Sequence, residues 1–154
     1  MKALKIFVWL MFATTFISVA NAQNAGNNVK ALIDAQNFVF VAQNVTPMSG
    51  RMRLLTTEYT LTVTRDSVIA DLPYFGRAYS ASINPEDAGI QFNTNNFQYT
   101  STVTKKHWEV SIKPKNAGDT QQMFLNIFDN GSADLQVTSN NRQSISFSGY
   151  IKQR

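Results

Sequence analysis

Ser144-Ile145-Ser146-Phe147-Ser148-Gly149-Tyr150-Ile151 alternates polar and apolar residues at nearly every step. Side chains on a strand point to opposite faces in turn, so Ile145, Phe147 and Ile151 share one face with Gly149 between them. Ser144, Ser146, Ser148 and Tyr150 share the other. A one-residue slip would bury the serines and expose the apolar set. The stretch therefore reads as a strand with one face on a core and the other toward water.

Working back from it, the same rhythm recurs. Ser139-Asn140-Asn141 turns the chain into Arg142–Ile151. Before that turn, Thr120–Phe128 and Ser132–Thr138 flank Asp129-Asn130-Gly131. Asn-Gly supplies the positive φ angles of a two-residue hairpin turn. Phe97–Thr104 and His107–Lys113 flank Lys105-Lys106 as a second hairpin. Gly89–Asn93 and Tyr79–Ile83 are short strands around the Asn84-Pro85-Glu86-Asp87 turn. Ser67–Leu72 follows a tight turn at Arg65-Asp66, and Tyr59, Leu61 and Val63 alternate with Glu58, Thr60, Thr62 and Thr64 as a half-buried strand. Pro47-Met48-Ser49-Gly50 is a turn by composition. Phe38, Phe40 and Ala42 alternate with Val39, Val41 and Gln43; both faces are apolar, which predicts a strand covered on both sides. Ahead of it the period changes: Val29, Leu32 and Ile33 fall at i, i+3, i+4, and Asn27 or Asn28 can cap the turn, so residues 28–36 read as an amphipathic helix. The fold class that follows is mainly β: a curled antiparallel sheet or barrel-like meander of about nine strands with one short N-terminal helix.

The first residues carry a different message. Lys2 and Lys5 precede an apolar run from Ile6 to Ala20, and Ala20-Asn21-Ala22 places small residues where a signal peptidase reads them. Residues 1–22 read as a signal peptide and 23–154 as a single mainly-β domain. The expected location is the periplasm or the medium, with no membrane span left after cleavage. The formal charge of +4 shrinks once Lys2 and Lys5 are removed, and no Lys/Arg run exceeds Lys105-Lys106. A nucleic-acid partner needs a basic stripe, so that class is set aside. With no cysteine there is no disulfide and no thiolate metal site.

Several segments carry a family resemblance: Asn37-Phe38-Val39-Phe40, Pro47-Met48-Ser49-Gly50, Asp71-Leu72-Pro73-Tyr74-Phe75-Gly76-Arg77-Ala78-Tyr79, Phe128-Asp129-Asn130-Gly131-Ser132-Ala133 and 139–151. In this order they resemble the domain-of-unknown-function family 4251, exported proteins of Bacteroidetes-type bacteria. The resemblance spans nearly the whole chain after the leader. It implies export and one domain, and it brings no activity, ligand or catalytic residue with it.

The residues themselves offer little chemistry. His107 is the only histidine, so a multi-histidine metal site is impossible and no metal or other cofactor is implied. In His107-Trp108-Glu109-Val110-Ser111-Ile112, the apolar face is Trp108, Val110 and Ile112, which turns His107 toward solvent with Glu109. Glu58, Glu109 and Asp134 fall on polar strand faces, and nothing in the sequence pairs them as acid and base. The sharpest local feature is Pro73–Tyr79. Its structural reading has Tyr74 and Phe75 plugging the end of the sheet, Gly76 allowing the bend and Arg77 satisfying carbonyls. Its functional reading makes Tyr74, Phe75, Arg77 and Tyr79 a platform of rings and a guanidinium, with Arg142 bracing the neighbouring turn or joining the site. Three functions follow in order. A non-enzymatic envelope protein that binds a small ligand or a partner protein comes first. A structural or assembly component of the envelope comes second, and a hydrolase of an envelope polymer third.

Overall fold

The computed structural model describes residues 28–77, 79, 89–105 and 107–154. The signal-peptide reading, the turn at residues 84–87 and all but Tyr79 of the strand expected at residues 79–83 lie outside them. Nine antiparallel strands form one nearly closed, barrel-like sheet, and one seven-residue helix precedes them. The helix, α1, spans residues 28–34. The strands are β1 (Phe38–Pro47), β2 (Arg53–Val63), β3 (Val68–Leu72), β4 (Ile90–Thr94), β5 (Phe97–Val103), β6 (His107–Pro114), β7 (Thr120–Phe128), β8 (Ser132–Ser139) and β9 (Ile145–Lys152).

Strand order across the sheet is β4-β3-β2-β1-β9-β8-β7-β6-β5. Every neighbour is consecutive in sequence except β1 and β9, whose pairing joins two local meanders. All eight pairings are antiparallel, so direction reverses eight times between the sheet's two outer strands. An even number of reversals leaves β4 and β5 running the same way. They cannot be a hairpin. Only Asn95 and Asn96 separate them, so they form one bent strand whose first part pairs with β3 and whose second part pairs with β6. The bend is fastened to the chain just past β6. The Lys115 amide donates to Asn96 O at 2.8 Å, and the Thr94 hydroxyl donates to Lys115 O at 2.7 Å.

The inward faces follow from the alternation. Ile145, Phe147 and Ile151 are buried on β9, as are Trp108, Val110 and Ile112 on β6 and Met123, Leu125 and Ile127 on β7. Phe38, Phe40, Phe147, Leu61, Leu72, Ile112, Leu125 and Leu135 are all below 2 % exposed and fill the interior. At roughly 2 kcal/mol for each large side chain removed from water, this packing is the main stabilising term in a chain without disulfides. Residues 38–42 are buried on both faces as expected: Phe38, Phe40 and Ala42 join the interior, while Val39 and Val41 face outward between Thr60, Thr62, Tyr150 and Lys152. Among the described residues one buried side-chain polar atom is left over, the indole N–H of Trp108, which has no hydrogen-bond partner.

Two irregularities keep β1 in register. Ala42 and Asn44 face consecutive residues of β9, so Gln43 is an extra residue, a bulge. It lets Val45 and Pro47 face inward after Phe38, Phe40 and Ala42; without it both would turn outward. The second is Gly149, opposite Ala42. A methyl group there would sit 1.9 Å from Val41 O, so only glycine allows β1 and β9 to approach this closely.

The hairpin expected at Asn130-Gly131 is present, with a different loop. Three residues, not two, lie between β7 and β8, and Gly131 alone takes a positive φ, 83°. The Asn130 carboxamide oxygen instead accepts from the Ser132 amide at 3.0 Å and its hydroxyl at 2.7 Å. This is the three-residue hairpin with glycine in the left-handed position.

The helix closes one end of the barrel. Val29 and Ile33 are buried and Leu32 packs against them, the stripe that the sequence predicted. The helix stops two residues early because Gln36 turns left-handed, φ 49°. The Asn37 amide then donates to Leu32 O and the Gln36 amide to Ile33 O, a Schellman cap. Tyr99 of β5 donates its hydroxyl to Ile33 O at 3.1 Å, and Arg65 of the β2–β3 turn donates to Ala35 O at 3.2 Å. This end is called the helix end below; the opposite one, where the β1–β2, β3–β4, β6–β7 and β8–β9 connections gather, is the loop end.

Candidate functional site

The residues singled out between Pro73 and Tyr79, and Arg142, all lie at the loop end. Pro73 stops β3, because proline has no N–H for the ladder. The chain then runs across the barrel mouth to the β8–β9 connection. Two backbone bonds join them: the Tyr79 amide donates to Asn141 O at 2.9 Å, and the Gln143 amide to Arg77 O at 3.1 Å. The Tyr74 hydroxyl lies 2.9 Å from Arg77 O and 3.0 Å from Gln143 O, so its single proton is shared between both sides of the junction.

Arg142 is the centre of this end. Its Nε and Nη2 donate to the two carboxylate oxygens of Asp119, both at 2.6 Å, and its Nη1 donates to Gly89 O at 2.9 Å. The guanidinium also stands 4.9 Å from the centre of the Tyr74 ring. Side chains of Arg142 and Asp119 are only 15 % and 16 % exposed, so the pair is shielded from water. One cation thus ties together three connections: both ends of the β3–β4 connection, the β6–β7 loop and the β8–β9 loop. Planar bidentate geometry of this kind is available to arginine and not to lysine. Burial raises the Tyr74 phenol above its ordinary pKa, against the pull of the Arg142 cation.

The other predicted residues are placed differently. Phe75 does not plug the sheet; it is 43 % exposed, with the Arg53 guanidinium 5.2 Å from its ring centre. Tyr74 alone takes the plugging role. The side chain seen to satisfy a carbonyl at this end is that of Arg142, on Gly89 O, while Arg77 contributes its own backbone carbonyl. Tyr79 is 73 % exposed. The structure therefore brings Tyr74 and Arg142 together in a brace, and leaves Phe75, Arg77 and Tyr79 around it on the surface.

A second feature lies on the outer wall beside this end. Ala42 pairs with Tyr59 and Asn44 pairs with Leu54, so the four residues Leu55–Glu58 stand opposite the single residue Gln43. The excursion pushes β2 away from β1 and opens a groove of about 230 Å³. Val41, Ala42, Leu54 and Leu55 supply apolar surface; Gln43, Thr56, Thr57, Glu58 and Tyr150 supply hydrogen-bonding groups. Lys152 and Glu58 form an ion pair at 3.2 Å at its margin.

The acid–base candidates do not converge. His107 and Glu109 do touch, at 3.3 Å, on the outer face of β6, where Glu109 is 56 % exposed. Asp134 stands two strands away through Asn126, and Glu58 belongs to the groove margin with Lys152. Glu58 stands apart from Glu109 and Asp134, and a general acid–base pair needs one substrate atom within reach of both. Among the described residues no three His, Asp or Glu side chains gather as metal ligands would.

Sequence reasoning missed Asp119 and Gly89, the partners of Arg142, and the whole groove. Asp119 and Arg142 are 23 residues apart and carry no local signature. The groove did leave a trace: Leu54-Leu55-Thr56-Thr57 interrupts the alternation that resumes at Tyr59. Two like residues in succession mark a place where the strand cannot stay in register.

Comparison with proteins of curated function gives no match. Among solved structures the fold is similar to the crystal structure of a DUF4251 family protein from Bacteroides eggerthii DSM 20697. The two share 17 % sequence identity over 84 % of this chain and 87 % of that one, with a TM-score of 0.62. The family model for DUF4251, a domain of unknown function, matches residues 20–151. With its nine-stranded sheet and a match over nearly its whole length, the chain belongs to the DUF4251 family.

Proposed function

We propose that this chain is an exported, non-enzymatic protein of the cell envelope, and that the groove between β1 and β2 binds a small ligand or a segment of a partner protein. The observation that carries this reading is the four-against-one mismatch of Leu55–Glu58 with Gln43. A barrel wall needs no such excursion, and a bulge of this size beside a groove re-aims side chains as functional sites require. The groove's volume, about 230 Å³, lies below the roughly 300–1,000 Å³ of pockets that enclose a drug-sized ligand. It suits a short saccharide or an extended peptide segment lying across the strands. The leader at residues 1–22 supports export.

An assembly role is the second reading. It is favoured by the β3-facing edge of Arg53–Tyr59, which has no strand partner among the described residues, because β3 pairs with β2 only from Thr60 onward. An unpaired edge accepts a strand from another chain. A hydrolase is disfavoured by the separation of Glu58, Glu109 and Asp134. Native mass spectrometry of the protein isolated from its own envelope tests the proposal. A bound mass that is lost in Thr57→Tyr, which fills the groove, supports it. Bare protein, with no thermal shift in saccharide, peptide or lipid mixtures, overturns it.

A further inference from the structure

The β1–β2 hairpin overhangs the rest of the sheet. Arg53–Tyr59 runs on without β3 beside it, so the tip around residues 48–52 projects from the loop end. Its exposed side chains are unusual for a surface. Met48 is 66 % exposed, Met52 65 % and Leu54 73 %, and Phe75 beneath Arg53 is 43 %. With Tyr79, five of the nine large apolar side chains exposed among the described residues lie at this one end. Arg51 and Arg53 alternate with these apolar tips, and no acidic residue occurs from Thr46 to Thr57.

We propose that this hairpin tip docks the protein on an anionic phospholipid surface. A projecting tip fits a bilayer better than a protein groove fits it. Met and Leu side chains enter the interface between headgroups and acyl chains, while flanking arginines stay at phosphate depth, their stems lying along the apolar part. Each cation near the surface adds attraction to anionic lipid. A second copy is a poor occupant, because a twofold contact would set Arg51 and Arg53 against themselves. Leu54 belongs to both surfaces, but the tip would hold the protein at a membrane and leave the rest of the β1–β2 groove open on the wall beside it.

Residues 23–154 contain every described element, and flotation with vesicles tests them directly. Phosphatidylcholine vesicles containing a quarter phosphatidylglycerol should carry the protein upward; pure phosphatidylcholine should not, and high salt should release it. The Arg51→Gln/Arg53→Gln variant should lower the partition constant roughly tenfold or more. The Met48→Ser/Met52→Ser/Leu54→Ser variant should remain in the buffer. All these positions are exposed, so circular dichroism should be unchanged. Met52→Trp should shift its emission to the blue on binding, which places the tip in the interface. Thr57→Tyr, which fills the groove, should float like the parent, so this proposal and the groove reading fail separately. Absence of flotation, flotation of the triple serine variant, or an unshifted Trp emission would each overturn the proposal.

Discussion

The two ends of the barrel are sealed by different physics. At the helix end the closure is apolar: Val29 and Ile33 enter the interior, and two tethers, Tyr99 to Ile33 O and Arg65 to Ala35 O, hold the helix down. At the loop end it is ionic: Arg142 spans Asp119, Gly89 O and the Tyr74 ring, and the larger apolar groups around it remain outside. An apolar plug is non-directional and tolerates small shifts of the helix. A bidentate brace is directional and loses most of its value when one donor moves. The helix end should therefore govern global stability, and the loop end should govern the order of its own connections.

The harshest perturbation should strike both ends together. Gly149→Ala drives a methyl group into Val41 O and separates β1 from β9, the seam on which both ends depend. We expect more than about 4 kcal/mol of destabilisation or failure to fold; a denaturant midpoint close to the parent's would show that the two strands can part locally. Ile33→Ala should cost about 3 kcal/mol through the cavity it leaves, in one cooperative transition seen alike by fluorescence and circular dichroism. Arg142→Ala leaves the shielded Asp119 carboxylate unpaired and should cost about 2–3 kcal/mol. Its signature should be local: amide exchange at Tyr79 and Gln143 should accelerate well before the core strands. If Ile33→Ala loosened those two amides equally, the contrast between the ends would fail.

The smallest effect is a pH dependence, stronger at the helix end, to which the raised Tyr74 phenol of the loop end also adds. Burial lifts the Tyr99 phenol well above its ordinary value, with the Asp34 carboxylate adding to the rise. Below pH ~10 the phenol is protonated whether folded or unfolded and contributes no pH dependence. Above it the unfolded chain releases the proton and the folded chain keeps it, so stability falls as pH rises. Tyr99→Phe should cost about 1 kcal/mol at neutral pH for the lost bond to Ile33 O and flatten the alkaline slope. An unchanged slope in a pH series of urea melts would place the loss elsewhere.

Legibility tracked the distance over which each feature is specified. The faces of β9, the stripe of α1 and the hairpin positions depend on neighbours within a few residues, and the sequence shows them. The Gln43 bulge and the excursion of β2 depend on how two strands 10–15 residues apart fall out of step, and they appear only as a doubled Leu54-Leu55 and Thr56-Thr57. The brace depends on Arg142 meeting Asp119 and Gly89 from separate connections, which no local pattern encodes. Arg77, nearest the aromatic cluster in sequence, was therefore given a task that Arg142 performs. The shared strand β4–β5 is the extreme case: each part looks like an ordinary short strand, and only the direction count around the sheet shows that they are one.

The pairing of β1 with β9 has a consequence in time. Each of the two local meanders, β1–β4 and β5–β9, can zip as soon as its residues are available, but the strand that unites them is the last of the nine to be made. Until Ile145–Lys152 arrives, β1 presents a bare edge and Phe38 and Phe40 lack their cover. The sheet can reach its final state only after Ile145–Lys152 is available. A covalent link from the residues after Lys152 to the start of α1, which keeps the helix, with a new opening at Asn95-Asn96, would turn every pairing into one between sequence neighbours and should let the sheet assemble from either end without waiting.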